Sequence, residues 1–247
     1  MITLASPERV IAVLSGIENV FAYRVRAMAR YLSDRETVRF YTNGINCALY
    51  NENGNAVIYA SEKMTQNELE ELTDLLKVTA SDIRCSIPLD LPGYAHTCGS
   101  ICEGAASPAF CETAEPALRR AAEIWKAVFP EAFSGEAGMV RYADISLWIR
   151  RGMAQAFSAE NGAALVFCEE NGTAVIDQLG VLTHARRKGE AMRLLSHIAA
   201  VLPCERLLFE SKNEASDRFY AKNGFMKTGM WWRYFAEREV LNTGRFL

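Results

Sequence analysis

The segment Val181–Ile198, "VLTHARRKGEAMRLLSHI", decides how the second half of the chain is read. It places Arg186, Arg187, Lys188 and Gly189 between an apolar run ending at Val181 and a helix-forming stretch. Ala191, Leu194, Leu195, Ile198 and Leu202 share one face of that helix, while Glu190, Arg193, Ser196 and His197 fall off it. The spacing predicts a helix packed on a sheet, with His197 exposed. First-turn N–H groups of such a helix have no intrahelical partner, and the aligned peptide dipoles leave partial positive charge beside them. A diphosphate would bind there through main chain alone. Gly189 permits close approach of backbone to a ligand, Ala191 keeps the first turn slim, and the basic side chains raise the local potential. The same residues also describe a solvated basic turn, and the segment taken alone leaves both readings open.

Composition narrows the classes. With 247 residues, half of them hydrophobic, the chain suits one large or two small domains and needs no staple to build a core. A net charge of -3 provides no bulk attraction to nucleic acid or anionic lipid, so neither is an expected partner. The N-terminal "MITLASPERVIAVLSGIENV" has no basic region before its apolar residues and is interrupted at Pro7, Glu8 and Arg9. No apolar run approaches the roughly 20 residues needed to span a bilayer. A soluble, cytoplasmic protein is expected, with its seven cysteines reduced. His96, Cys98, Cys102 and Cys111 crowd into "HTCGSICEGAASPAFC", a spacing that half matches a zinc knuckle and equally fits a plain small-residue loop. No metal is assigned.

In the first half, Ser6-Pro7 reads as a helix start, and Val20 to Leu32 carries helical periodicity. Apolar runs between residues 38 and 61 are separated by Asn43-Gly44 and Asn53-Gly54, both hairpin signals. Thr65 and Glu68 form a capping-box pattern. From Ile87 to Glu115 the chain turns to Pro, Gly, Ser, Ala and Cys, which predicts a linker or crossover and a domain boundary near residue 112, with Pro116 opening the next helix. The division is therefore a smaller α/β domain over 1–112 and a second domain over 113–247.

The second domain reads as helices, three strands broken at Asn161-Gly162 and Asn171-Gly172, the Val181–Ile198 helix, a strand "ERLLFES", a helix "EASDRFYAKNG" and an aromatic strand "FMKTGMWWRYFA". That order implies an α/β (α+β mixed) fold, with helices on a mixed, mostly antiparallel sheet. In "MWWRYF", one alternating row is expected in a core, and the other lines an acceptor pocket, forms a subunit interface or simply packs.

Downstream of the basic segment, Asn213, Ser216, Phe219, Tyr220, Gly224 and Phe225 stand in the pattern N-x-x-S-x-x-F-Y-x-x-x-G-F. With Arg186-Arg-Lys-Gly189-Glu-Ala191 before it, roughly residues 115 to 237 resemble the GNAT superfamily of acyl-CoA-dependent N-acyltransferases. The resemblance implies acetyl-CoA as cosubstrate and a small-molecule or peptide amine as acceptor. By it, the main chain of Arg186, Arg187, Lys188, Gly189, Glu190 and Ala191 holds the pyrophosphate. Val181 and Thr183 face the pantetheine arm, Asn213 and Ser216 contact the cofactor, and Tyr220 protonates the departing thiolate. A phenol can do this when held within hydrogen-bond reach, although a Tyr after a Phe on such a helix also fits as a packed aromatic. Asp177 is the nearest carboxylate for a general base, with Glu210 second; Asp177 could equally face outward from its strand. "VLTHARRKG" is shorter than the family's usual loop and lacks its proline. A CoA-binding sensor without chemistry is the competing class. The first domain has no such motif and is expected to be noncatalytic, shaping the acceptor site or forming a homodimer.

Overall fold

The structure is a computed structural model describing residues 1–105, 118–168, 172–202 and 204–237. Two compact units emerge, Met1–Gly99 together with the chain from Met230 onward, and Ser100–Gly229. The expected sequential cut near 112 falls outside the described residues. The units divide at residues 99/100 and 229/230, within two long strands, where strand pairing joins residues far apart in sequence.

The first unit runs β1 (Thr3–Leu4), α1 (Pro7–Val13), α2 (Val20–Tyr31), β2 (Val38–Thr42), β3 (Cys47–Glu52), β4 (Asn55–Ala60), α3 (Gln66–Thr79) and β5 (Asp82–Cys85). Ser6 caps α1 by accepting from the Arg9 amide at 3.3 Å. Strands β2, β3 and β4 form an antiparallel meander, with Asn53-Gly54 closing the Glu52–Asn55 pair, and β5 lies parallel to β4. Thr65 and Glu68 close a capping box on α3. Leu72 and Leu76 of α3 are buried with Leu49, Ile58 and Ile83 in this unit's core.

Strand β6 (Tyr94–Gly104) occupies much of the segment read as a linker. Small residues weakened its strand signal, and antiparallel pairing of Ser100–Gly104 with Leu207–Ser211 decided its conformation. Cys98 is exposed and Cys102 buried, Cys111 lies outside the described residues, and no cluster of three His, Cys, Asp or Glu suited to a metal occurs among the described residues.

The second unit continues with α4 (Leu118–Val128), α5 (Pro130–Phe133), α6 (Gly135–Arg150), β7 (Ala154–Ser158), β8 (Gly162–Cys168), β9 (Thr173–Val181), α7 (Glu190–Val201), β10 (Arg206–Ser211), α8 (Glu214–Lys222) and β11 (Met226–Ala236). Pro116, expected to open α4, lies outside the described residues. Strands β7, β8 and β9 form the expected antiparallel meander, β10 runs parallel to β9, and β6 pairs antiparallel on its other side. Leu194, Leu195 and Ile198 of α7 are buried with Phe157, Val166, Ile176 and Phe209. His197 corrects the sequence expectation: it is 4% exposed, its ring edge-on to Phe157 at 6.2 Å. The buried stripe of α7 is simply wider than its aliphatic positions. Beyond Gly229, β11 returns to the first unit, where Tyr234 joins the core and accepts a hydrogen bond from the Leu89 amide at 2.7 Å. Trp232 of the same row packs partly buried beside it, while Trp231 of the other row is also buried.

Gly138 of α6 is required by close approach. A Cβ there would lie 2.3 Å from the Phe133 carbonyl carbon and 2.4 Å from its oxygen. No rotamer relieves a clash with backbone, which outweighs the gain of about 1 kcal/mol that alanine brings to a helix interior. Gly138→Ala is therefore expected to destabilise by about 2 kcal/mol net, read as a Tm lowered by roughly 4–8 °C in thermal unfolding. Among the described residues no helix is long and apolar enough to cross a membrane.

Candidate functional site

The parallel ladder between β9 and β10 runs from Thr173↔Arg206 to Ile176↔Phe209 and stops. At that point β9 carries a bulge: Leu165 of β8 pairs with Gln178 while Val166 pairs with Ile176, leaving Asp177 as the extra residue. A bulge bends its strand and increases the local twist. Beyond it, β9 stays paired to β8 as far as Val181, and Glu210 and Ser211 stay paired to β6. The two parallel strands thus part, and α7 and α8 begin beyond their carboxyl ends. Ligands of α/β sheets bind in such crevices.

A cavity of about 490 Å³ occupies this opening. Its walls include Val181, Arg186, Arg187, Gly189, Glu190 and Ala191 from the segment that opens α7, and Asn213, Ser216 and Tyr220 from α8. Gly189 is the N-cap of α7 with φ 82°, and no side chain caps the helix. The amides of its first turn are therefore left for a ligand. Arg187 shares the left-handed backbone with φ 64°. Arg193 holds the loop in place, donating to the Lys188 carbonyl and to the Glu190 carboxylate.

Two contacts tie the shortened loop to the turn between β7 and β8. The Leu182 amide donates to the Asn161 carbonyl at 2.9 Å, and His184 Nε2 lies 3.0 Å from Asn161 Oδ1. Thr183 lies in a 3-10 turn, and neither Thr183 nor Lys188 lines the cavity. Arg186 Nε donates to the Val181 carbonyl at 3.1 Å, folding that side chain along the strand end. Asn213 caps α8: its Oδ1 accepts from the Ser216 amide at 3.0 Å and from Ser216 Oγ at 3.2 Å. Its acceptor oxygen is thus already engaged within the helix start.

Tyr220 is 8% exposed, its ring 4.5 Å from that of Phe209 and near those of Phe219 and Phe225. The ring is packed, and the residue still forms part of the cavity wall. Burial, followed by the nearby Cys102 and Asp217, pushes its hydroxyl above the ordinary value of 10.0. Ser100 Oγ donates to Asp217 Oδ2 at 3.1 Å, tying β6 to α8.

Asp177 does not line the cavity and is no surface residue. Its side chain is 2% exposed and its Oδ2 accepts from Arg141 Nη2 of α6 at 2.6 Å. Sequence reading missed Arg141, since no periodic signal links a helix residue to a bulge 36 positions away. It also missed Val128, Phe129 and Leu179, which line the cavity; their apolar character reads as core.

The first unit shares with the second a chain order of helices, a three-stranded antiparallel meander, a helix, then a strand parallel to the last of the meander. Its corresponding end is closed. Ser86 Oγ accepts from the Ala60 amide at 2.9 Å and donates to the Ala60 carbonyl at 2.7 Å, holding β4 to the chain that follows β5. At the start of α3 the Glu68 carboxylate accepts from Thr65 N at 2.8 Å. That carboxylate takes the place an anion would need.

Residues 127–225 match the sequence model of the Acetyltransferase (GNAT) family. Three solved structures are similar over nearly the whole chain. A Drosophila protein aligns with TM-score 0.62 at 14% identity, covering 96% of this chain and 98% of its own. A tandem GNAT protein from the clavulanic acid biosynthesis pathway aligns with TM-score 0.57 at 11% identity, covering 95% and 97%. A GCN5-related N-acetyltransferase from Sphaerobacter thermophilus aligns with TM-score 0.55 at 12% identity, covering 95% and 94%. These likenesses concern the fold. No curated protein sequence matches the chain. The paired motifs, the parting of β9 and β10 and the uncapped start of α7 all lie within the matched span, and residues 127–225 are a GNAT-family acetyltransferase domain.

Proposed function

We propose that this protein is an N-acyltransferase that moves an acetyl group from acetyl-CoA to a primary amine by direct attack in a ternary complex. The observation that carries this is one cavity, at the parting of β9 and β10, walled by an uncapped helix start on one side and by Tyr220 on the other. The residues fit the coenzyme: bare first-turn amides and the Arg186–Gly189 loop suit its diphosphate, and the apolar wall of Leu179, Val181 and Phe129 suits its arm. Asn213 and Ser216 stand on the opposite wall. Bound acetyl-CoA supplies an activated carbonyl. The chain's part is to hold a neutral amine and the thioester together, so that the N–C bond forms as C–S breaks while the attacking nitrogen gives up a proton to solvent water, and to deliver the Tyr220 proton to the leaving sulfur. Asp177, the carboxylate at the bulge where β9 and β10 part, is committed to Arg141, so an amine reaches it only by displacing the guanidinium.

Initial-rate kinetics with acetyl-CoA and a panel of amines, followed by thiol release, test this reading. Titration calorimetry is expected to give one CoA per chain, because the first unit's corresponding helix start is filled by Glu68. Two equivalent sites would contradict that account of the first unit, and no CoA binding would remove the proposal itself. CoA binding with no thiol release for any amine would mark a sensor rather than an enzyme.

A further inference from the structure

We infer that Arg141 selects the acceptor, and that the acceptor it selects is an amine bearing a carboxylate a few bonds away; this rests on the acyl-transfer reading above. Arg141 reaches from α6 to the bulge at which β9 parts from β10, donating through Nη2 to Asp177 Oδ2 at 2.6 Å. Its guanidinium carbon lies 5.1 Å from the centre of the Trp148 ring, and that ring in turn packs on Phe167 at 5.3 Å. One edge of the cation is therefore fixed by a buried carboxylate and one face by an indole.

The rest is left for a ligand. The Arg141 side chain is 21% exposed against 2% for Asp177, and its Nε and Nη1 hydrogen-bond to no described residue. A planar guanidinium presents its donors in a fork that matches a carboxylate, and one already oriented loses little freedom on binding. Asp177 is then a positioning residue rather than the base. It holds the arginine, and the arginine holds the acceptor's carboxylate near the opening where Tyr220 stands. A simple uncharged amine would leave the cation's remaining donors unmatched, which is how a polar site rejects an analogue lacking the group.

The test uses the full chain with acetyl-CoA and matched pairs of probes, α-amino acids and their primary amides. The amide's amine is the less basic of each pair, so intrinsic reactivity at neutral pH favours the amide and any preference for the acid comes from the protein. Wild type is expected to favour the acids by about 10²-fold in kcat/KM. Arg141→Gln is expected to bring that ratio near unity, through the acceptor KM, with CoA affinity by calorimetry retained. Arg141→Lys, which keeps the charge without the fork, should restore part of it. Equal turnover of both series by wild type overturns the inference without needing any variant to fold. So does Arg141→Gln accelerating both series alike, the result expected if the arginine only blocks Asp177 from acting as base. Tight CoA binding with neither series turned over also defeats it while leaving the coenzyme site standing; absence of CoA binding would instead defeat the acyl-transfer reading beneath it.

Discussion

Tyr220→Phe is expected to lower kcat by about 10²- to 10⁴-fold, the range for loss of a positioned general acid, while CoA affinity stays close to wild type. The reason is the separation of ring from hydroxyl. The ring sits among Phe209, Phe219 and Phe225, a setting in which phenylalanine packs equally well, and the hydroxyl hydrogen-bonds to no described residue. Removing the oxygen therefore leaves the fold and the cavity wall in place and deletes only the proton donor. Burial, with Cys102 and Asp217 behind it, raises the hydroxyl's ionisation above 10.0, so the group stays protonated across the neutral and mildly alkaline range. The wild-type kcat should then show no alkaline loss from this residue below about pH 10.

The sign for stability follows from the same shift. A folded value above the unfolded one contributes stability fully present below the unfolded value and lost as pH rises through the folded one. Denaturant midpoints of wild type should fall above about pH 10 by an amount that Tyr220→Phe does not show. Full activity of the variant at every pH would remove Tyr220 from the chemistry and leave it as a packed aromatic.

Gly189→Asp is expected to raise the Kd for CoA by about 10²-fold. A like charge a few ångströms from a diphosphate, discounted for solvent at this exposed loop, costs about 2–3 kcal/mol. The left-handed backbone at φ 82° adds about 1 kcal/mol for any residue with a Cβ, although Asn and Asp tolerate that conformation best. A Cβ at this position meets no atom within 4 Å, so steric overlap does not enter. Gly189→Asn carries the conformational cost without the charge and separates the two effects. Calorimetry should find Asn well below tenfold weaker and Asp far weaker, with the gap closing as salt rises. Equal losses in the two variants would mean that backbone shape, not anion binding, is what the loop supplies.

How far the sequence reaches differs between the two units. Most elements of the second announced themselves through periodicity and turn chemistry: the meander of β7, β8 and β9, the aliphatic face of α7 and the helix α8 all stand where the spacing placed them. In the first unit, Ser6-Pro7, Asn53-Gly54 and the Thr65–Glu68 box were equally legible because each is complete within a few residues. Strand β6 was not. Its small residues favour a loop locally, and the ladder to β10 that makes it a strand joins positions about a hundred residues apart. His197 was misplaced for a related reason, since a polar residue beside an apolar stripe is buried or exposed according to what packs on the helix, here Phe157.

By itself the sequence determined most of the elements, the motif that opens α7 and the pattern that begins at Asn213, because caps, turns and helical faces are short-range chemistry. Only the tertiary structure decided that β9 and β10 part at the Asp177 bulge, that Arg141 and Asp177 meet there, and that the first unit's matching end is held shut by Ser86 and Glu68. Those are questions of register and of long-range contact, and a strand's partner, unlike a helix cap, is not written next to it in the chain.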